Sequence, residues 1–242
     1  MMDFATVELA SAAVASAAGA AAYAVRGRSS SLFAPSVYRG DPEQPLIALT
    51  FDDGPSRSTP ALLEILADHG VPATFFMCGR NVRRFPVIAQ EVRIAGHEIG
   101  NHSDNHSYLH FKTPEYIFRD LAIAQQTIRA TTGVRPRWFR APYGVRWFGL
   151  RSAQQRLGLT GVMWTVIAND WKWPGCRVAR MMAQRARNGT IYCLHDGRGL
   201  RPSPDIRSTL EAVDMVIPKL QSQGYRFVTL TEMLCRDSSM NA

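Results

Sequence analysis

Two aspartates stand side by side in Thr50-Phe51-Asp52-Asp53-Gly54-Pro55-Ser56, where an apolar run gives way to a Gly-Pro turn. Neighbouring carboxylates repel each other unless a cation or a proton relieves them, so the pair suggests a metal held by one member while the other handles a proton. For this segment alone, an Asp-Gly turn capping the next helix is the alternative. A second cluster, His102-Ser103-Asp104-Asn105-His106, sets two imidazoles four residues apart. On one face of a helical turn they could converge on a single ion. With one aspartate they make a three-ligand site that leaves positions for water and substrate, the arrangement of a catalytic metal; a structural zinc would close with a fourth protein ligand. His69, His97 and His110 stand apart and read as ordinary surface or core residues.

Three more polar constellations follow: Arg140-Ala141-Pro142-Tyr143-Gly144, Asn169-Asp170-Trp171 and Leu194-His195-Asp196-Gly197. Each falls at or just past a short apolar run. The runs 46–51, 73–78, 98–101, 138–140, 161–166, 190–194 and 225–230 are strand candidates. Helix candidates begin near Thr59, Phe85, Thr113, Trp147, Cys176 and Asp205, several with a Ser, Thr, Asp or Pro at the start. Such alternation predicts a parallel sheet with helical crossovers, an α/β fold. Seven units suit closure into a barrel, with the polar clusters on the rim where parallel barrels carry their catalytic groups. No G-x-G-x-x-G follows the first strand to suggest a dinucleotide site.

The chain has 242 residues, 46% of them hydrophobic, enough for one barrel-sized domain. Its formal charge of +8 could draw in anionic polymers, but no aromatic-interleaved basic run points to nucleic acid, and a solvated basic surface is the expected reading. Cys78, Cys176, Cys193 and Cys235 form no C-x-x-C pair; Cys78 and Cys193 lie in apolar runs as small buried hydrophobes. Residues 1–27 are Ala-rich, with Asp3 and Glu8 where a secretory signal would be basic. A weak membrane anchor and an Ala-rich helix lying on the domain or a membrane are the two readings. Arg26 and Arg28 close this segment, and by the positive-inside rule they would keep the following domain cytoplasmic. The Ser-, Gly- and Pro-containing stretch 28–44 reads as a linker, and the folded domain as 45–242.

In order, the segments T-F-D-D-G, H-S-x-x-H, R-A-P-Y, D-W and L-H-D resemble the five signatures of the polysaccharide deacetylase family, carbohydrate esterases that share the NodB homology domain. The likeness covers about residues 45–234. It implies a distorted (β/α)7 barrel and a single divalent metal ion, with zinc the first expectation and cobalt or another divalent ion the alternative. By this resemblance Asp53, His102 and His106 are the metal ligands, Asp52 is the general base, and Arg140 orients it. His195 is the general acid and Asp170 the carboxylate that hydrogen-bonds it. Tyr143 offers a backbone N–H to the oxyanion, while Trp171 and Leu194 line the acetyl pocket. One position departs: Ile167 stands three residues before Asp170, where the family often has another aspartate.

The expected function is therefore removal of N-acetyl groups from an N-acetylglucosamine polymer or oligomer, peptidoglycan or chitin-like. An O-acetyl xylan esterase and a catalytically silent carbohydrate-binding member are the alternatives; a two-metal phosphohydrolase would want more carboxylates. The expected partner is an acetylated glycan, not nucleic acid, with membrane association through the N-terminal segment. A monomer is expected, placed at a membrane or the cell envelope, with the cytoplasm as the alternative.

Overall fold

The computed structural model describes residues 4–235, with side chains from residue 11 onward. Met1 to Asp3, the side chain of Glu8, and residues 236–242 of the expected domain lie outside the described residues. Helix α1 (Phe4–Arg26) is followed by β1 (Ser36–Val37), β2 (Leu46–Gly54), α2 (Thr59–Asp68), β3 (Thr74–Met77), α3 (Gly79–Arg84), α4 (Pro86–Ile94) and β4 (Glu98–Asn101). Then come α5 (Pro114–Thr132), β5 (Trp138–Phe139), a 3-10 turn (Pro142–Gly144), α6 (Leu150–Leu157), β6 (Thr160–Val162) and β7 (Val166–Ile167). The chain finishes with α7 (Gly175–Arg185), β8 (Thr190–His195), α8 (Arg207–Ser222), β9 (Arg226–Phe227) and α9 (Leu230–Leu234).

All strand pairs among the described residues are parallel, in the order β1-β6-β5-β4-β3-β2-β8-β7, with β9 pairing β2 off this path. β6 and β7 lie towards opposite ends of the order, yet only residues 163–165 separate them in the chain. So short a link spans at most roughly 14 Å. The sheet must curl until its ends meet, which makes it a distorted barrel.

Strand β2 is buried along its whole length, as a central parallel strand covered on both faces should be. Its side chains alternate between two cores. Ile47, Leu49 and Phe51 face outward and join Phe75, Tyr192 and Leu194 beneath Leu66, Val178, Met182 and Val216 of the helices. Leu46 and Ala48 face inward with Phe76 and Ile191, and Leu230 and Met233 of α9 pack into the same interior cluster. Thr50 and Asp52 continue the inward-facing set toward the C-terminal rim. Helix α5 shows how local signals set the crossovers: Thr113 accepts the Tyr116 N–H at 3.2 Å, Pro114 opens the first turn, and Gly133 ends the helix at φ 76°.

Some elements differ from expectation. The candidate strand 161–166 is two short strands, because the chain leaves one end of the sheet and rejoins the other. The candidate 225–230 stops at Phe227, since Thr229 and Glu232 form a capping box that starts α9 instead. The stretch 28–44 contains β1 and buries Ala34. Arg146 reaches across to it, donating to the Ser30 carbonyl at 2.6 Å and to that of Gly27. Helix α1 is solvent-exposed from residue 11 to residue 23. No helix among the described residues is long and apolar enough to cross a membrane.

Candidate active site

At the C-terminal end of β2 the backbone breaks its alternation. Asp52 pairs with Phe76 of β3 and Gly54 with Met77, leaving Asp53 as a bulged residue at φ 77°. A bulge re-aims one side chain, which is how two successive aspartates can serve the same cavity. Gly54 permits it, because a Cβ there would collide with the Asp196 carboxylate.

Asp53 meets the second cluster. Its Oδ1 lies 2.8 Å from Nε2 of His106 and 3.3 Å from Nε2 of His102, while Oδ2 accepts the Gly199 N–H at 2.7 Å. The two histidines do not share a helical turn, as their spacing suggested. They sit on an irregular loop in which Ser103 and His106 are left-handed, at φ 66° and 50°. Side chains inside and beside the loop hold it. Ser103 Oγ accepts the His106 N–H at 3.1 Å, Asp120 takes the N–H groups of Asp104 and Asn105, and Arg83 pairs with Asp104 through two bonds of 2.7 and 2.8 Å.

The donor set fits a divalent cation. Asp53 Oδ1 is buried and accepts no hydrogen bond. His102 Nδ1 lies 2.8 Å from the Arg140 carbonyl, a contact that makes Nδ1 the donor and leaves a lone pair on Nε2 facing that oxygen. Acceptors turned toward one another in this way require a cation or protons between them. Burial works to raise the Asp53 carboxyl, but His102 and His106 outweigh it and hold the group well below the usual range. Burial likewise pulls His102 down, and Asp52 with Asp53 overcomes this and raises it.

Asp52 is gripped separately. The fully buried Arg140 donates from Nη1 to Asp52 Oδ1 at 2.8 Å and to Thr50 Oγ1 at 2.6 Å, and from Nη2 to the Met163 carbonyl at 3.1 Å. On β8, in register with Asp52, stands His195. Asp170 accepts its Nδ1–H at 2.9 Å and its backbone N–H at 3.0 Å, and is held in turn by Thr209 Oγ1 at 2.6 Å. Burial alone would lower the His195 imidazole, but Asp170, backed by Asp53 and Asp52, raises it to about 9.

Asp52, Asp53, His102, His106 and His195 line one cavity of about 810 Å³, together with Tyr143, Trp164, Trp171, Cys193 and Arg198. Trp171 stands edge-on to His195 at 5.0 Å, and Tyr143 stacks on Tyr108 at 3.7 Å while touching His106. Leu194 is the correction. It is fully buried in the outer core and absent from the cavity wall, because Cys193 and His195 take the inward positions on β8. Sequence reading also missed Thr50 and Cys193, which the two-residue period relative to Asp52 and His195 could have flagged. Nothing in the pattern marks Thr209 or Arg198.

Fold and site together define a parallel barrel protein built around a candidate metal centre, with a paired carboxylate and imidazole beside it. The chain belongs to the polysaccharide deacetylase family, whose match spans residues 39–162. It is 36% identical over 193 residues to the chitooligosaccharide deacetylase of Azorhizobium caulinodans, covering 75% of this chain and 91% of that one. It is 34% identical over 189 residues to the peptidoglycan-N-acetylglucosamine deacetylase PgdA of Listeria monocytogenes, covering 77% of this chain but 38% of that longer protein. Among solved structures it is similar to the Bc1960 peptidoglycan N-acetylglucosamine deacetylase in complex with 4-naphthalen-1-yl-N-oxidanyl-benzamide. That similarity has a TM-score of 0.78 and 29% identity, over 84% of this chain and 94% of the other.

Proposed function

We propose that this chain hydrolyses N-acetyl groups from an N-acetylglucosamine-containing glycan, peptidoglycan or chitin-like. The observation that carries the reading is a held base beside a held acid: Asp52 fastened by Arg140 and His195 by Asp170, in register on adjacent strands. The activities named for the relatives support the choice of an acetylated amino sugar.

An acetamide is a poor electrophile with a poor leaving group. A divalent ion held by Asp53, His102 and His106, zinc in our reading, would polarise the carbonyl oxygen and acidify water when bound. Asp52 takes the proton of the attacking water, and Arg140 fixes the direction in which its carboxylate points. His195 carries the proton for the departing nitrogen on Nε2, since Nδ1 is committed to Asp170. Tyr143 gives its backbone N–H to the developing oxyanion, and Trp171 walls the acetyl methyl. The catalytic domain, which takes in β1, acts as a monomer at a membrane surface or in the cell envelope with α1 as the contact. Cell fractionation with and without residues 1–27 tests that placement.

Acetate release from a panel of N- and O-acetylated glycans tests the function. Release from N-acetylglucosamine oligomers that a chelator abolishes and zinc restores supports it. Release from acetylated xylan alone would move the substrate, and no release from any glycan would overturn the reading.

A further inference from the structure

We propose that Asp52, Cys193 and His195 form a second metal site, selective for thiophilic divalent ions such as zinc and cadmium, whose occupation inhibits the enzyme. It shares no ligand with Asp53, His102 and His106. Cys193 and His195 are two residues apart on β8 and face the same side, into the cavity. Asp52 is the residue of β2 in register with His195. One ligand atom from each of the three lies within 4.8 Å of the others.

The spacing suits an ion. With Zn–S near 2.3 Å and Zn–O near 2.0 Å, a tetrahedral centre sets sulfur and oxygen about 3.5 Å apart. Cys193 Sγ lies 3.4 Å from Asp52 Oδ2. Oδ1 of that carboxylate is committed to Arg140, so Oδ2 is the atom left to coordinate. Nδ1 of His195 is tied to Asp170, leaving Nε2, and a carboxylate behind an imidazole is the usual way of presenting that nitrogen to a metal. On binding, the Cys193 S–H bond breaks, its proton leaves to solvent, and a metal–sulfur bond forms. Asp52 and the thiolate then supply two negative charges to a divalent ion.

The inhibitory half rests on the deacetylase reading, because the ion would occupy the base and the acid at once; the binding half does not. The test uses the full chain with the exposed Cys176 and Cys235 replaced by serine, loaded with one equivalent of zinc and titrated with cadmium. Bound metal is measured by equilibrium dialysis, and thiolate-to-cadmium charge transfer by ultraviolet absorption. A second equivalent accompanied by the absorption band is expected, with both missing in Cys193→Ser. Acetate release should fall as that equivalent binds, and Cys193→Ser should need more than about tenfold more metal for the same loss. A single equivalent without the band, or equal inhibition of both proteins, would overturn the proposal. If neither protein releases acetate, the deacetylase reading fails, while dialysis and absorption still decide the site.

Discussion

The carbonyl oxygen of Arg140 accepts a hydrogen bond from Nδ1 of His102 at 2.8 Å. One residue therefore orients His102 with its backbone and Asp52 with its guanidinium. The two functions can be separated by substitution. Arg140→Lys keeps the carbonyl and the charge but loses the fork that reaches Asp52, Thr50 and Met163 together. It should retain its metal while kcat falls by roughly a hundredfold, the cost of a misaimed catalytic group. Metal analysis beside turnover on an N-acetylglucosamine oligomer checks this, and loss of metal in step with kcat would contradict it.

Asp52 and Asp53 are chemically identical neighbours, and the bulge gives them different surroundings. Asp53→Asn should lose metal first, having traded a charged ligand between two imidazoles for a weak one. Asp52→Asn should keep metal and still bind glycan, yet lose activity by roughly several orders of magnitude. The opposite pattern of metal content would exchange their roles.

The pH profile of kcat/KM should fall on its alkaline side. Burial would lower His195, but Asp170 outweighs it and holds the imidazole near 9. The imidazolium is therefore present at neutral pH and is lost as pH rises through that value, which sets the basic limb expected if His195 is the acid. Asp170→Asn removes the charge that favours imidazolium, so the basic limb should move down. If it stays in place, Asp170 has no part in holding the proton.

Leu194 and Trp171 should separate stability from substrate binding. Leu194→Ala empties a fully buried site in the outer core and should cost about 3 kcal/mol of unfolding free energy with KM nearly unchanged. Trp171→Ala, at a side chain 48% exposed on the cavity wall, should raise KM with little change in Tm. Thermal denaturation and steady-state kinetics on both variants would show it. A stable Leu194→Ala with a raised KM would return that residue to the pocket.

Most of the site could be read from sequence because its parts sit at the ends of short apolar strands, where type and spacing carry the signal. Asp52, His102, Arg140, Asp170 and His195 are all of this kind. What stayed hidden depends on backbone geometry or on distant partners. The bulge at Asp53 leaves no mark beyond the following glycine, and the left-handed turns at Ser103 and His106 replace a helical face that the i, i+4 spacing equally allows. Leu194 misled because a family pattern says which residue follows which, whereas the pleat decides which one faces inward. Thr209 reaches Asp170 from 39 residues away, beyond any local pattern. Strand β1 was lost among serines and prolines, since two residues that pair only with β6 show no periodicity.

The pairing of β2 with β8 also has a bearing on how the chain folds. The strand that carries Asp52 and its neighbour that carries His195 are some 140 positions apart in the chain, joined over six registers from Ile47 and Thr190 to Asp52 and His195. Parallel pairing between distant segments requires a large loop to close before any contact rewards it, which makes such sheets slow to form. A nascent or refolding chain would thus hold Asp52 on an incompletely covered strand until β8 arrives. Catalytic competence would emerge late in folding, after the helices and the β3–β4 side of the sheet have gathered.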